Sequence, residues 1–322
     1  MAEPVIDAVA IGRNEGARLI RCLDSLRAAG FRRIVYVDSG STDASIAEAE
    51  ARGVQVVRLD LSRPFTAARA RNAGFEALPQ GPDAPDFVQF VDGDCELVPG
   101  WLPLAAGFLQ ADPQAGVACG RRREIAPGAS LYNRLIDREW DTPAGPARAC
   151  GGDALMRAPA LRQVGGFDAR MIAGEEPELC VRLRRAGWTV WRLDAEMTRH
   201  DAAITRFGQW WRRARRAGHA YAEGAALHGA APERHNVAQT RRALIWGLGL
   251  PLAAVLGALL VHPGALLLLL AWPLQMARLW RRHRDPAYAA FLVLGKLPEA
   301  LGVLEYRLGR LTGRAGRLIE YK

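Results

Sequence analysis

The sequence has no closely spaced cysteine pairs of the kind that hold zinc or build a disulfide framework. Its five cysteines, Cys22, Cys95, Cys119, Cys150 and Cys180, stand singly among 322 residues, with no CxxC spacing. An odd, unpatterned set is typical of reduced cytosolic thiols. The chain opens directly on an apolar strand pattern rather than a signal peptide, so we expect its first part to face the cytoplasm.

Lysine is nearly absent, because arginine supplies almost all of the 43 basic residues. These outnumber 34 acidic residues and give a formal net charge of +9. Such a charge suits nucleic acid, anionic lipid headgroups or phosphorylated substrates. No zinc-finger, single-strand-binding or helix-turn-helix signature supports the first of these, so nucleic acid is not an expected partner.

Charge is missing altogether from residues 243–277, although arginines crowd both ends of the stretch. Residues 243–261 are about long enough to cross ~30 Å of hydrocarbon. His262-Pro263-Gly264 interrupts the run, and 265–277 is a shorter second one. Arginines at both outer ends favour a membrane hairpin with both ends in the cytosol. A single tilted or re-entrant span and a buried helical pair are the alternatives.

An amphipathic helix is predicted over residues 203–224. Phe207, Trp210, Trp211 and Tyr221 lie there among five arginines. Bulky aromatics mixed with arginines suit the headgroup zone of a membrane. An ordinary surface helix whose aromatics pack on the domain explains the pattern equally well.

Strand and helix patterns alternate over the first 92 residues. Apolar runs predict strands at 5–11, 33–38, 54–59 and 86–92, with helices between them at 16–29, 43–52 and 66–78. Further helices are expected near 158–164 and 175–186, and a strand at 188–193. Strands joined by single helices indicate parallel βαβ units in an α/β sheet. Ligands bind outside the carboxyl ends of such strands, where this sequence places its polar turns.

The fourth strand ends in two aspartates, Asp92 and Asp94, separated only by Gly93. Two hard carboxylate oxygens can hold Mg²⁺ or Mn²⁺, while a bound diphosphate and water complete the ion's coordination. An isolated Asp-Gly-Asp is also explained by a tight Asx-turn. The metal interpretation gains support from the other polar turns expected at the same sheet edge.

Six segments together resemble the family 2 glycosyltransferases, which are inverting enzymes with a GT-A fold. They are VAIGRNEGARLIRCLDSL, IVYVDSGSTDAS, AARARNAGFEAL, FVQFVDGDCEL, VGGFD and GEEPELCVRLRRAGW, in this order over about residues 5–201. The resemblance implies a Rossmann-like nucleotide-diphospho-sugar transferase domain. It also implies that Asp92 and Asp94 are the metal motif, with Asp94 the more direct ligand.

The resemblance further assigns residues to the donor. The nucleoside is expected to lie against the turns after the first two strands, at Arg13, Asn14, Glu15, Asp38, Ser39 and Asp43. Many relatives carry an aspartate where this chain has Ser39, and Asp38 is the favoured base contact. Arg69 or Arg71 is expected to meet the diphosphate, because a guanidinium binds phosphate oxygens in pairs. A solvated helix face is the alternative for both.

Inversion needs a carboxylate opposite the departing diphosphate to take a proton from the acceptor hydroxyl. The family carries this base in an acidic pair that opens a helix, which here is Glu175-Glu176. Glu176 is the favoured base and Glu175 the second choice. Acids in a first helical turn are also explained by the helix dipole alone.

Three further residues are candidates. His200 is expected after a strand and a short loop, where it is either a third metal ligand or an ordinary surface histidine. Gly152 and Asp153 lie where relatives shape the acceptor pocket. Asp153 is expected either to bind an acceptor hydroxyl or to cap the next helix.

The sequence thus predicts four parts: a GT-A catalytic domain (1–201), an interfacial helix region (202–240), an apolar transmembrane or re-entrant hairpin (241–284) and an amphipathic tail (285–322). The expected function is sugar transfer from a nucleotide-diphospho-sugar to a lipid-linked saccharide acceptor in surface polysaccharide synthesis. This would take place on the cytoplasmic face of the inner membrane. A polyprenyl-phosphate sugar synthase is the main alternative. A sugar nucleotidyltransferase and a non-catalytic membrane scaffold are weaker ones.

Overall fold

A computed structural model describes residues 3–313 of the chain. The chain divides into two compact units, Met1–Thr205 and Arg206–Lys322. Among the described residues the first unit carries the strands, and the second unit is helical.

The first unit alternates strands and helices along most of its length. Its strands are β1 (Ile6–Gly12), β2 (Arg33–Asp38), β3 (Gln55–Arg58), β4 (Phe87–Asp92), β5 (Cys95–Leu97), β6 (Ala115–Glu124), β7 (Gly145–Pro146), β8 (Ala154–Arg157) and β9 (Thr189–His200). Its α-helices are α1 (Ala17–Ala29), α2 (Ser45–Ala51), α3 (Ala67–Glu76), α4 (Trp101–Ala111), α5 (Leu131–Trp140), α6 (Ala158–Gln163) and α7 (Glu175–Arg185).

The strands form one mixed sheet in the order β3-β2-β1-β4-β8-β6-β9-β5, and β7 pairs with β9. The first four strands are parallel, while β8 runs antiparallel to β4 and β6. The chain winds from β1 outwards to β3 and then returns to place β4 on the other side of β1. Open α/β sheets bind ligands at such a reversal, outside the strand ends. Asp92 is the last residue of β4, so the aspartate pair lies at this point.

The core explains why the strand pattern could be read from the sequence. Residues 7–11 of β1 are all buried, as expected for a central parallel strand covered on both faces. Helix α1 buries Leu19, Cys22, Leu23 and Leu26, which share one face at helical spacing. These two periodicities give the α/β fold that the sequence predicts.

One predicted element needs correction. The strand expected at 188–193 extends to His200, because β9 continues as the partner of both β6 and β5. His200 is therefore the last residue of a strand rather than part of a loop. The elements between residues 101 and 146 escaped the sequence pattern, which is blurred there by Pro- and Gly-rich connections.

The second unit consists of helices. They are α8 (Phe207–His228), α9 (Val237–Leu244), α10 (Leu250–Leu260), α11 (Ala271–His283), α12 (Pro286–Leu294) and α13 (Lys296–Leu311). A π-helical turn joins α9 to α10, so that Val237–Leu260 is one continuous 24-residue helix. The predicted interfacial helix 203–224 corresponds to α8, and residues 314–322 of the predicted tail lie outside the described residues.

The apolar part of the second unit extends beyond the predicted hairpin. Within residues 3–313, two helices are long and apolar enough to cross a membrane, Val237–Leu260 and Pro286–Leu311. The second of these lies in the region predicted to be an amphipathic tail. Residues 263–270 form a 3₁₀ helix, and the following α11 ends in Arg281, Arg282 and His283. The sequence predicts a short, arginine-ended second arm, and the membrane hairpin itself stays a prediction.

Candidate active site

Asp92 and Asp94 lie at the end of β4, and the Gly93 N–H donates to the Ile11 carbonyl of β1 (2.8 Å). Asp92 Oδ1 accepts from Arg71 Nη2 (2.7 Å), and Oδ2 accepts from Arg122 Nη2 (3.3 Å). Two guanidinium groups therefore hold the Asp92 carboxylate from two sides. The two aspartates are consequently not equivalent, because Asp94 has other partners.

Asp94 faces His200 across the end of the sheet. Asp94 Oδ2 lies 3.2 Å from His200 Nε2, and both side chains are buried. Burial, together with the nearby charge of Arg122, lowers the pKa of His200 to about 4. The imidazole is therefore neutral at pH 7, which is the form that binds metal ions. The structure thus brings the predicted ligands Asp94 and His200 together.

Arg71 connects the aspartates to the acidic start of α7. Its Nη1 lies 2.7 Å from Glu175 Oε1 and 3.0 Å from Glu176 Oε1, while Nη2 binds Asp92. The residue is only 2% exposed. The predicted direct contact with a diphosphate does not fit this placement, because three carboxylates surround the guanidinium. Arg71 instead holds Asp92 in position relative to Glu175 and Glu176.

Glu175 and Glu176 open α7, as the sequence predicts, but they differ in access. The side chain of Glu175 is 4% exposed and that of Glu176 is 14% exposed. Burial and the charge of Glu175 raise the pKa of Glu176 to about 7, although Arg71 opposes this rise. A carboxylate with a pKa near neutrality can exchange a proton with a substrate hydroxyl.

Asp153 is fully buried beneath the aspartate pair. Its Oδ1 accepts from the Asp92 N–H (3.0 Å), and its Oδ2 accepts from Thr198 Oγ1 (2.6 Å) and pairs with Arg122 (2.9 Å). This buried position does not fit either expectation for Asp153, a contact with the acceptor or a cap of the next helix. Asp153 instead fixes the backbone of Asp92.

Gly152 lies directly against the pair formed by Arg71 and Asp92. A Cβ added here would lie 2.6 Å from both Arg71 Nη2 and Asp92 Oδ2. A larger residue would therefore push the ion pair apart. The residue's predicted role at the acceptor stays a prediction, and its visible role is to leave room for this pair.

The turns after β1 and β2 form the predicted nucleoside side. Asn14 accepts from the Thr42 N–H (2.7 Å), and the Asn14 N–H donates to Ser41 Oγ (2.9 Å), so the two turns are tied together. The Asp38 carboxylate accepts from the N–H groups of Gly40 and Ser41 (both 2.9 Å). Asp38 thus shapes its own turn, and a base contact by this residue stays a prediction.

The remaining predicted nucleoside residues lie on the same two turns. Arg13 is exposed and stacks over the Phe65 ring, with 4.9 Å to its centroid. Glu15 pairs with Arg18 (2.9 Å), and the exposed Asp43 accepts from the Gly16 N–H (3.1 Å). Ser39 follows β2 directly and is buried.

Arg69 lies on the same helix as Arg71 but belongs to another part of the structure. Its guanidinium donates to the carbonyls of Asp60, Arg63 and Pro64 at 2.6–2.9 Å. These bonds brace the loop before α3. The structure therefore separates the two arginines that the sequence treated as alternatives.

Two residues of the site were missed by sequence reasoning. Arg122 binds Asp92 and Asp153, and its guanidinium lies 5.5 Å from the centroid of the Trp140 ring. Trp140 also stacks edge-to-face with His200, with 4.8 Å between centroids. Arg122 stands inside Gly-Arg-Arg-Arg-Glu, and nothing in that run marks its middle arginine.

The charges of this cluster do not balance. Five carboxylates (Asp92, Asp94, Asp153, Glu175 and Glu176) meet two guanidinium groups, those of Arg71 and Arg122. A buried excess of negative charge is costly unless a cation or a proton offsets it. Oxygen ligands beside a neutral imidazole fit a divalent cation such as Mn²⁺. The residues present therefore fit the metal that the sequence predicts.

Comparison with known proteins identifies the class of this domain. The family model for Glycosyl transferase family 2 matches residues 9–156. That stretch contains β1 to β4, the Asp92–Asp94 turn and Asp153. This stretch of the chain therefore resembles glycosyl transferase family 2, and its sheet has the GT-A fold.

Individual relatives are more distant. A pre-mycofactocin glycosyltransferase of Mycobacterium tuberculosis is 29% identical over an alignment of 202 residues that covers 59% of this chain. The matched region spans only 41% of that relative's own length. The similarity supports a glycosyltransferase domain and extends no further along the relative.

Solved structures share the fold at lower identity. The mannosyltransferase PcManGT of Pyrobaculum calidifontis, in complex with GDP-Man and Mn²⁺, has a TM-score of 0.65 at 18% identity, covering 94% of this chain and 88% of its own. Glucosyl-3-phosphoglycerate synthase of M. tuberculosis, with Mn²⁺, UDP and glucosyl-3-phosphoglycerate, has a TM-score of 0.52 at 18% identity. It covers 70% of this chain and 80% of its own.

Proposed function

We propose that the protein is an inverting glycosyltransferase that moves a hexose from a nucleotide-diphospho-sugar to an acceptor hydroxyl. The observation that carries the proposal is the Arg71 bridge, which holds Asp92 at 2.7 Å and Glu176 at 3.0 Å. Carboxylates suited to a metal and a carboxylate suited to proton transfer thus lie on two sides of one buried cation. Such an arrangement supplies both halves of a sugar-transfer site.

Glu176 is the proposed base. Its pKa of about 7 lets a large fraction of the protein carry the ionised carboxylate near neutral pH. The ionised form takes the proton of the acceptor hydroxyl as that oxygen attacks the anomeric carbon from the face opposite the diphosphate. Glu175 is less exposed and keeps Arg71 in place, so it is not the favoured base.

Asp94 and His200, with Asp92 beside them, are the proposed residues that hold Mg²⁺ or Mn²⁺. The bound ion would neutralise charge on the departing diphosphate. Both structural relatives named above were solved with Mn²⁺ and a nucleotide or nucleotide sugar, which supports the assignment. The turns that carry Asn14 and Asp38 are the proposed nucleoside contacts.

The acceptor is proposed to be lipid-linked, in surface or exopolysaccharide synthesis at the cytoplasmic face of the inner membrane. The second unit supports this, because the helix Val237–Leu260 is 24 residues long. Only 17% of its most apolar 18-residue stretch is buried. The core helix of a soluble protein would be mostly buried. Arginines at the start and end of this region suit anionic headgroups.

A different observation favours a second class of acceptor. The 29% identity to a pre-mycofactocin glycosyltransferase favours pre-mycofactocin, or an acceptor like it, as the alternative. A polyprenyl phosphate is a third possibility, and its phosphate oxygen would need little help from a base. The three acceptor classes can be distinguished by whether transfer requires Glu176 and by direct assay of each acceptor.

The experiment is a screen of UDP-, GDP- and dTDP-sugars with Mn²⁺ or Mg²⁺, measuring nucleoside diphosphate release. Membrane lipid extract, polyprenyl phosphate and pre-mycofactocin serve as alternative acceptors. Asp94→Asn and Glu176→Gln are expected to abolish release, whereas Glu96→Gln, at an exposed ion pair with Arg21, keeps it. Full activity of Glu176→Gln on a hydroxyl acceptor would contradict the base assignment. Release of pyrophosphate would identify a nucleotidyltransferase instead.

A further inference from the structure

A buried thiol lies between the two carboxylate clusters of the site. Cys95 belongs to both groups of side chains in the described residues that could hold a metal ion, one with Asp94 and His200 and the other with Asp92 and Asp153. In each group the donor atoms lie within 4.8 Å of one another. The sulfur is therefore within reach of an ion held by either set of oxygens.

The strand pairing explains why the sulfur and the imidazole meet. Cys95 on β5 lies directly opposite His200 on β9 in an antiparallel ladder. Directly opposed residues project from the same face of a sheet. Asp94 precedes Cys95 and turns its carboxylate towards both neighbours, with Oδ1 3.6 Å from Cys95 Sγ and Oδ2 3.2 Å from His200 Nε2. One oxygen, one sulfur and one nitrogen thus converge.

The three donors lie in a buried and negatively charged environment. His200 is 6% exposed, and its Nδ1 is buried without a hydrogen-bond partner in the described part of the chain. Cys95 is fully buried beside a cluster in which five carboxylates outnumber two guanidinium groups. A cation bound among the three donors would offset the excess negative charge.

We propose that Cys95 is a third ligand of the metal site and makes it selective for thiophilic transition metals. The proposal rests on the proposed Asp94–His200 metal site and adds one ligand to it. A mixed oxygen, nitrogen and thiolate set is typical of Zn²⁺ and Co²⁺ sites, whereas Mg²⁺ prefers oxygen alone. On binding, the thiol releases its proton to the buffer and a sulfur–metal bond forms, with no change of oxidation state.

The selectivity has a direct consequence for the metals that occupy the site. Zn²⁺ is bound by Asp94, Cys95 and His200 together and displaces Mn²⁺, because affinity rises towards the later divalent metals and a thiolate strengthens this trend. Three protein ligands leave at least one position open for a phosphate oxygen, as in catalytic zinc sites. Mn²⁺, a harder ion, depends mainly on the carboxylate and the imidazole.

The test is titration of the full chain with Co²⁺, followed by absorption spectroscopy. A thiolate ligand produces a sulfur-to-cobalt charge-transfer band in the near ultraviolet, and the visible d–d bands report cobalt binding whether or not sulfur takes part. The charge-transfer band is expected in the wild type and in Cys119→Ser, a buried cysteine on β6 outside both donor groups. It is expected to be lost in Cys95→Ser and Cys95→Ala.

Competition supplies the second measurement. Zn²⁺ is expected to bind Cys95→Ser at least about tenfold more weakly than the wild type, while Mn²⁺ binding changes by less than about threefold. Cobalt d–d bands without a charge-transfer band in the wild type would overturn the proposal, whatever the folding of the variants. That result leaves the Mn²⁺-dependent transfer assay untouched, so it is distinguishable from failure of the proposed function.

Discussion

Replacing Arg71 by Gln is expected to shift the pH dependence of sugar transfer to higher pH. Arg71 Nη1 lies 3.0 Å from Glu176, and the arginine opposes the rise that burial and Glu175 impose on the pKa of that carboxylate. As the proposed base, Glu176 would act only when ionised, so activity is expected to fall as the pH drops through the pKa of this carboxylate. Without Arg71 the pKa of Glu176 rises further, and the acid limb of the profile moves up.

The size of the shift follows from the distance. Two charges about 4 Å apart interact by about 4 kcal/mol at an effective dielectric constant of 20, and about 1.4 kcal/mol corresponds to one pKa unit. The acid limb is therefore expected to move by about one to three pH units, the upper value applying without relaxation. The variant also leaves three carboxylates without their shared cation, which costs about 3–5 kcal/mol of folding stability.

The assay is kcat/KM for nucleoside diphosphate release between pH 5 and 9, with thermal melting measured alongside. Arg69→Gln is the matched control, because Arg69 lies on the same helix but binds only backbone carbonyls in the loop before it. It is expected to lose some stability and keep the wild-type profile. An Arg71→Gln enzyme with lower activity but an unmoved acid limb would refute the electrostatic reasoning.

The other predictions concern the same cluster. Glu176→Gln is expected to abolish transfer yet raise the melting temperature at pH 8. The pKa of Glu176 is about 7 in the folded protein and 4.5 ordinarily, so holding the ionised carboxylate at pH 8 costs roughly 3 kcal/mol of folding stability. The neutral amide avoids this cost. This gain is expected to shrink to less than about 1 kcal/mol at pH 5, and equal melting temperatures at pH 8 would contradict it. Gly152→Ala is expected to lose about 1–3 kcal/mol, since the new Cβ lies 2.6 Å from the Arg71–Asp92 pair, whereas Gly151→Ala meets nothing within 4 Å and stays near wild type in denaturant unfolding. Chelation with EDTA is expected to stop nucleoside diphosphate release and Mn²⁺ to restore it in the wild type but not in Asp94→Asn; full activity after chelation would exclude a metal requirement.

The sheet could be predicted because its local patterns agree with its final structure. β1, β2, β3 and β4 are short apolar runs bounded by polar turns, and each falls within about two residues of its predicted limits. The carboxyl ends of parallel strands share one edge, so Asp92 and Asp94 could be placed beside the turns that carry Asn14 and Asp38. The position of the aspartate pair in the fold could therefore be predicted from the order of the elements.

The roles of the buried charges could not be predicted, because they depend on contacts between distant strands. Arg71 and Asp153 were expected to touch substrate, yet each is buried and bound to other charged groups. Arg122 was missed because its partners lie at the end of β4 and immediately before β8, more than 25 residues away in sequence. A motif locates a charged side chain near a site, but only the fold shows whether that charge meets solvent or another charge.

The excess of carboxylates around Arg71 links the fold of this site to its proposed chemistry. Without a metal, one way to offset the charge is to hold a proton, and Glu176 has the pKa to do so near pH 7. A cation bound at Asp94 would offset part of the same excess and favour the ionised carboxylate that base catalysis needs. Donor and metal binding would thereby favour the ionised form of the proposed base Glu176 before the acceptor is deprotonated.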